Sequence, residues 1–369
     1  MSIFDQIVDG ENFQRALLTR IRESSKPVLL YGAGVYAYVL RRFLAANNVD
    51  VKMVMVDRAH KTADTFMGLA VRTTEEVGVE LDAFQIIVGI TNFTECVEKL
   101  KILGATEVHV IDIPDYLDMP EAFMDFAFVR AHIDQFDLAA ELFEDALSKD
   151  TYVASINTKI NESLEYVKPY VRLDNLYFPA SEFSVRKDEV LLDVGGYNGD
   201  TICEFNDLTG GEYQKIISLE PDKKNFGNLL ATIQARGFSN VIPVNVGAWD
   251  KRDTLRFVAK EMHIDNQIAD HGEHEINVDT IDSILGGLGC SVSLIKLDIN
   301  GAENRALAGA AETIRKCRPR VVVRLHTKED YFRTPILLKK IAPDIKLYLR
   351  QRNFMSMMVI LYGEFDSVL

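Results

Sequence analysis

The residues Leu191-Leu192-Asp193-Val194-Gly195-Gly196-Tyr197-Asn198-Gly199-Asp200-Thr201 join an apolar run to a glycine-rich turn. Such a stretch reads as a buried strand that passes through a loop into a helix starting near Thr201. Glycine lets the backbone turn sharply and approach a ligand closely. The free amides of a helix N-terminus favour a carboxylate or phosphate. Any nucleotide can use such a loop, so the loop alone selects no chemistry. The next apolar run, Ile217-Ser218-Leu219-Glu220-Pro221-Asp222, narrows the choice. It sets Glu220 about 20 residues past the loop, where an acid accepts hydrogen bonds from both ribose hydroxyls. The other role open to Glu220 is to cap a helix beginning near Lys223.

Two further stretches belong with these. Val244-Asn245-Val246-Gly247-Ala248-Trp249 follows a third run, and Leu294-Ile295-Lys296-Leu297-Asp298-Ile299-Asn300-Gly301-Ala302-Glu303 carries an acid where its strand should end. Ligands of open α/β sheets bind at that edge. A carboxylate closing a buried strand is costly unless paired or solvated, so Asp298 is a site candidate. Glu303 has an equally good alternative as a first-turn helix charge. His326 ends the run Arg320 to Arg324 and the two residues after it, on the same edge as Asp298. It is either a base near neutral pH or a structural hydrogen-bonder.

A second glycine pattern lies near the start. Gly32-Ala33-Gly34-Val35-Tyr36-Ala37 follows the run Pro27 to Tyr31, and Asp57 ends the next run. The order is that of a dinucleotide site. With about half the strands of a full dinucleotide fold, the unit suits a mononucleotide or nucleotide-sugar better than NAD. Gly32, Gly34 and Asp57 are thus a second candidate nucleotide site, the alternative being a retained fold with an empty site.

The elements that must position these residues form two α/β series. Strands are expected at 27–31, 51–56, 85–90 and 107–111, and again at 190–194, 215–219, 241–246, 294–297 and 320–324. Helical segments separate them, including 225–236, 280–285 and 303–316. Lys346 to Arg350 and Met357 to Tyr362 are spaced for an antiparallel hairpin. Between Pro120 and Tyr170, Phe123, Phe126, Phe136, Leu142, Phe143 and Leu147 recur at helical spacing, which reads as a packed helical connector. The expected organisation is a Rossmann-like α/β domain over 1–115, a helical connector over 116–176 and a larger, mostly parallel α/β domain over 177–369.

A net charge of −14 argues against nucleic-acid or anionic-membrane binding, which need a basic face. No apolar run reaches the roughly 20 residues of a membrane span. The start lacks the order of a secretory signal. Cys96, Cys203, Cys290 and Cys317 are scattered. That spacing suits reduced thiols in a cytoplasmic protein and gives neither disulfide nor metal patterns.

Taken together, the DVGGYNGDT loop, SLEPD, VNVGAWD, VDTID, IKLDINGAE, Arg324-Leu325-His326 and Tyr348-Leu349-Arg350 resemble the FkbM-type methyltransferases. These are S-adenosylmethionine enzymes with the class I fold, a Rossmann-like, mostly parallel sheet closed by an antiparallel hairpin. The segments around Leu147-Ser148-Lys149 and Tyr177-Phe178 resemble the lead-in of some members. The resemblance implies that Asp193, Gly195, Asn198 and Gly199 surround the methionine part of S-adenosylmethionine. Glu220 would hold the ribose, and Gly247, Ala248 and Trp249 would lie near the adenine. Tyr197, Thr201 and Pro221, in the same stretches, are counted with them. Asp298 would face both sulfonium and acceptor, a sugar, glycan or secondary-metabolite hydroxyl. Asp298 and His326 are the candidate bases; no His/Asp/Glu grouping demands a metal, although Asp298 with Glu303 could form part of a metal site. Two departures matter: Asn300 replaces an acid usual in the family, and Met262 to Glu275 matches poorly and is expected to shape the acceptor pocket. The first domain resembles the small nucleotide-sugar-recognising domains of some sugar-modifying enzymes. Competing readings are an NAD(P)-dependent oxidoreductase, which leaves Glu220 and Asp298 unexplained, and a catalytically inactive fold that binds a nucleotide or nucleotide-sugar.

Overall fold

A computed structural model describes residues 2–91, 93–112, 120–181, 184–258, 267–268 and 274–366. In the first domain, β1 (Val28–Tyr31), β2 (Val51–Val56), β3 (Thr65–Phe66), β4 (Leu69–Thr73), β5 (Gln85–Val88) and β6 (Glu107–Val110) form one sheet. Its order is β3-β4-β2-β1-β5-β6, parallel except for the β3–β4 pair. Helices α1 (Phe13–Glu23), α2 (Val35–Ala46), α3 (Thr74–Val77) and α4 (Phe93–Ile102) accompany it. Successive β1 residues feed separate cores: Leu30 joins Leu40 and Leu44, while Leu29 joins Leu81 and Leu100. Burial on both faces is why β1 is apolar throughout. The sequence showed four strands here. The β3–β4 hairpin was hidden because its residues are half-exposed and short.

The connector folds into α5 (Phe126–Ala131), α6 (Ile133–Glu141) and α7 (Ala146–Asn161). Phe136 and Phe143 are core, whereas Phe123 is 42% exposed and Phe126 half-buried. Phe136 meets Phe332 with ring centroids 5.2 Å apart, and Phe143 meets Tyr152 at 5.2 Å. The first residues of the chain pack here too: Asn157 Oδ1 accepts the Val8 amide and Asn161 Oδ1 the Gly10 amide, each at 2.8 Å.

The second domain contains β7 (Val190–Val194), β8 (Lys215–Leu219), β9 (Val241–Val244), β10 (Gly247–Ala248), β11 (Asp253–Val258), β12 (Gln267–Ile268), β13 (His274–Asp279), β14 (Leu294–Leu297), β15 (Arg320–Arg324), β16 (Lys346–Gln351) and β17 (Val359–Glu364). Its helices are α8 (Asp200–Thr209), α9 (Lys223–Arg236), α10 (Ile281–Leu288), α11 (Glu303–Ala308), α12 (Ala311–Cys317) and α13 (Asp330–Ile341). The main sheet runs β16-β17-β15-β14-β7-β8-β9, with β17 antiparallel to both neighbours, as the expected terminal hairpin requires. A small sheet, β10-β13-β11-β12, stands beside it. Much of Met262 to Glu275 lies outside the described residues.

The strands β11 and β13 of the small sheet were not expected from sequence, and two helices of the second domain also depart from expectation. The single helix over 303–316 is broken at Gly309 into α11 and α12. A side chain at Gly309 would collide with the Trp249 carbonyl, so close approach of these backbones fixes the break. The helix α13 was unexpected because Pro335 lies inside it.

Candidate active site

The ends of β7, β8 and β14 meet at a cleft of about 350 Å³. Its floor follows from strand register. Asp193 on β7 stands opposite Lys296 on β14 and Ser218 on β8. Lys296 Nζ lies 3.0 Å from Asp193 Oδ1, and Ser218 Oγ donates to Oδ2 at 2.8 Å. Both charges are buried. Such a pair persists only because each partner neutralises the other. Burial pulls the Lys296 ammonium down, but Asp193 and Asp298 raise it above its usual value. Lys296 Nζ also donates to the Gly195 carbonyl at 2.9 Å. Asp193 therefore lies beneath the glycine loop rather than in the cleft.

The loop itself sits hard against β14. Gly195 has φ +90°, and a Cβ there would collide with the Asp298 carbonyl. At the end of β8, Glu220 is buried, with each carboxylate oxygen on a different backbone amide: Oε2 accepts Tyr197 N–H at 2.8 Å and Oε1 accepts Asp222 N–H at 2.9 Å. Burial pushes Glu220 up to about 7, against the pull of these two amides. The cap of α9 is Asp222, whose Oδ1 accepts the Lys224 and Asn225 amides at 2.9 and 2.8 Å. Glu220 is thus not the N-cap.

Asp298 ends β14 at the cleft among three donors. Tyr177 donates its hydroxyl to Oδ2, Arg324 Nη1 lies 3.4 Å from Oδ2, and His326 Nε2 lies 2.7 Å from Oδ1. Burial would raise this carboxyl, but Arg324, His326 and Lys296 together hold it well below the usual carboxylate range. Behind it, buried Glu303 accepts the Ile299 and Gly301 amides at 2.8 and 2.9 Å. Burial pushes Glu303 up to about 7. It fixes the turn that carries Asn300, whose φ is +53°. Asp298, Glu303 and His326 offer ligand atoms within 4.8 Å of one another, the arrangement a metal would need, and all three already bond to one another or to backbone amides.

Of the residues singled out from sequence, Gly195, Tyr197, Thr201, Glu220, Pro221, Gly247, Ala248, Trp249 and Asp298 line this one cleft. Asn198, Gly199 and His326 do not line it, nor does Asp193. Asn198 accepts the Asp200 amide at 3.2 Å, and Gly199 is the N-cap of α8. His326 is only 2% exposed and supports Asp298 from behind. Sequence reasoning missed Tyr177, Lys296 and Arg324 as cleft residues. Lys296 did leave a signal, since a lysine inside an apolar strand must find a buried partner. In the first domain, Gly34 is the N-cap of α2, and Asp57 Oδ1 lies 2.5 Å from Lys99 Nζ and accepts Thr74 Oγ1 at 2.9 Å.

The family model described as the methyltransferase FkbM domain matches residues 193–355, from the floor acid of the glycine loop to the hairpin of the main sheet. Most of the second domain is thus similar to the methyltransferase FkbM domain. The chain is also similar to the solved methyltransferase FkbM of Methylobacillus flagellatus KT, at 18% identity and a TM-score of 0.65, over 98% of this chain and 97% of that one. At that identity the likeness is one of fold, and it extends through the first domain and connector. The class I sheet with an additional N-terminal α/β domain is therefore the architecture of this protein. Weaker likenesses cover about half of the chain. They include precorrin-6y C5,15-methyltransferase of Geobacter metallireducens GS-15 (11% identity, TM-score 0.34, 54% of this chain and 95% of that one) and Aeropyrum pernix fibrillarin with natively bound S-adenosyl-L-methionine (14%, 0.33, 48% and 66%). No curated protein matches the chain. Among the described residues, no helix is long and apolar enough to cross a membrane.

Proposed function

We propose that the second domain transfers a methyl group from S-adenosylmethionine to a hydroxyl of a sugar, glycan or other small-molecule acceptor. The observation that carries this reading is Glu220. A carboxylate has about four lone-pair sites. The amides of Tyr197 and Asp222 take one on each oxygen, leaving one on each for the two hydroxyls of a ribose. The missing Cβ of Gly195 lets the loop close on β14, so Glu220 and Asp298 face one cleft. Gly247, Ala248 and Trp249 offer the adenine a wall from the small sheet.

When bound, S-adenosylmethionine supplies a methyl group on a sulfonium, with a neutral thioether as leaving group. The chain's own task is to align the acceptor, exclude water and receive a proton. Tyr177, Arg324 and His326 occupy three lone-pair sites of Asp298, which leaves one for an acceptor hydroxyl. With its carboxyl held so low, Asp298 stays ionised and is a weak base. It orients the hydroxyl first and takes the proton late, once the oxygen's bond to carbon has made that proton acidic. His326 fixes the Asp298 carboxylate rather than meeting the acceptor.

A melting-temperature screen of the full chain with S-adenosylmethionine, S-adenosylhomocysteine, NAD and UDP-sugars tests this reading. S-adenosylhomocysteine at 100 times its dissociation constant should stabilise the fold by about 2.7 kcal/mol. A shift with NAD and none with S-adenosylhomocysteine would favour an oxidoreductase instead.

A further inference from the structure

The turn between β16 and β17, residues 352–358, touches both domains. Its Ser356 amide donates to Asp112 Oδ2 at 3.1 Å, and Phe354 packs on Phe93 with ring centroids 5.5 Å apart. Asp112 follows β6 and Phe93 opens α4, so both contacts come from the carboxyl edge of the first sheet. One residue beyond Ser356, the Met357 carbonyl accepts Arg324 Nε at 3.1 Å, and the same guanidinium reaches Asp298 Oδ2 through Nη1 at 3.4 Å. The turn is braced from inside. Gln351 Nε2 donates to the Asn353 and Met355 carbonyls at 2.8 and 2.6 Å, and the Met358 amide donates to the Met355 carbonyl at 3.0 Å. A displacement at Ser356 is therefore passed on to Met357. Upstream, the Tyr36 hydroxyl donates to the Ile111 carbonyl at 2.9 Å. That bond ties the first turn of α2, next to Gly34, to the residue before Asp112.

We propose that Asp112 is a positioning residue for methyl transfer: from the first domain it fixes the 352–358 turn, and through Met357 it sets where Arg324 stands against Asp298. The inference rests on the proposed function of the cleft. Its physical basis is the stiffness of a planar guanidinium. Once Nε is bonded to a fixed carbonyl, the remaining donors of the fork have a set direction. A misplacement of about 1 Å far from the chemistry can cost about 100-fold in rate. The same path gives the Gly32–Gly34 edge of the first domain a physical route to Asp298, since whatever moves Tyr36 or Asp112 moves Arg324.

The titration of His326 reads Arg324's position without any acceptor. His326 faces the carboxyls of Asp298, Glu303 and Asp330 and the Arg324 guanidinium. Burial and then Arg324 pull its titration down, while Glu303 and Asp298 push it up and prevail. In the ligand-free full chain, with labelled histidine followed by NMR and assigned against His326→Gln, Asp112→Ala should move the His326 midpoint to higher pH as Arg324 slackens. Asp112→Asn, which keeps an oxygen for the Ser356 amide, should return it towards the wild-type value. Loss of the Asp112 charge by itself would move the midpoint the other way, so a downward shift overturns the proposal. So does an unmoved midpoint in both Asp112→Ala and the double variant Asp112→Ala, Phe93→Ala when their melting shows folded protein. Failure of the wild-type protein to bind S-adenosylhomocysteine would instead overturn the methyltransferase reading and leave this link intact.

Discussion

Both domains end a first strand in a glycine loop and the next strand in an acid, Gly32 and Gly34 with Asp57, Gly195 and Gly199 with Glu220. Their surroundings separate them. Asp57 meets the Lys99 ammonium at 2.5 Å and the hydroxyls of Thr74 and Tyr31. Burial raises its carboxyl, yet these partners hold it below the usual range. Glu220 meets two backbone amides, and burial lifts it to about 7. One acid is already answered by side chains. The other is desolvated and has lone pairs to spare, which a ligand's donors would satisfy. A shared pattern fixes the position of an acid, and its neighbours decide whether that acid is available.

Substitutions can break or sharpen this contrast. The largest effect should come from Asp298→Ala, with turnover falling about 100- to 10,000-fold while cofactor affinity changes far less. Methyl transfer to an acceptor found in a sugar panel, set beside calorimetric affinity, makes that comparison; near-normal turnover would remove Asp298 from the chemistry. Lys296→Met strands Asp193 beneath the second loop, a buried charge without its partner. Denaturant unfolding should show a loss of about 3–5 kcal/mol. A loss below about 1 kcal/mol would mean the pair is not what holds the floor together. Glu220→Ala removes two ribose bonds to a charged acceptor, at about 1.5–3 kcal/mol each. Asp57→Ala should leave S-adenosylhomocysteine affinity within about twofold, because less than about 0.4 kcal/mol is then at stake. Equal losses from the two substitutions would erase the distinction between the sites.

The parts of the fold legible in sequence were those in which one pattern had one cause. The apolar runs ending in Glu220 and Asp298 are strands because both faces are buried, and the acids mark the edge where burial stops. The pattern failed where distant contacts decided. The helix over 303–316 looks continuous until the Trp249 backbone presses on Gly309. The Ser218–Asp193–Lys296 row was hidden because register between β8, β7 and β14 is not written in any one strand. Tyr177 and Arg324 join the site from a lead-in and a neighbouring strand, and neither belongs to a glycine motif. His326 was drawn to the right edge but to the wrong depth, since spacing tells which end of a strand a residue occupies and not which side chain stands in front of it.

The most direct test of the central claim is a calorimetric titration of the full chain with S-adenosylhomocysteine at pH 6 and pH 8. Protonated Glu220 has lost the acceptor that two ribose hydroxyls need, so proton and ligand compete for a group that titrates at about 7. Binding should therefore tighten as pH rises, by about tenfold over this range, with low-micromolar affinity or better at pH 8. The pH dependence should vanish in Glu220→Gln. No heat at either pH, or the same pH dependence with Glu220 replaced, would contradict the account.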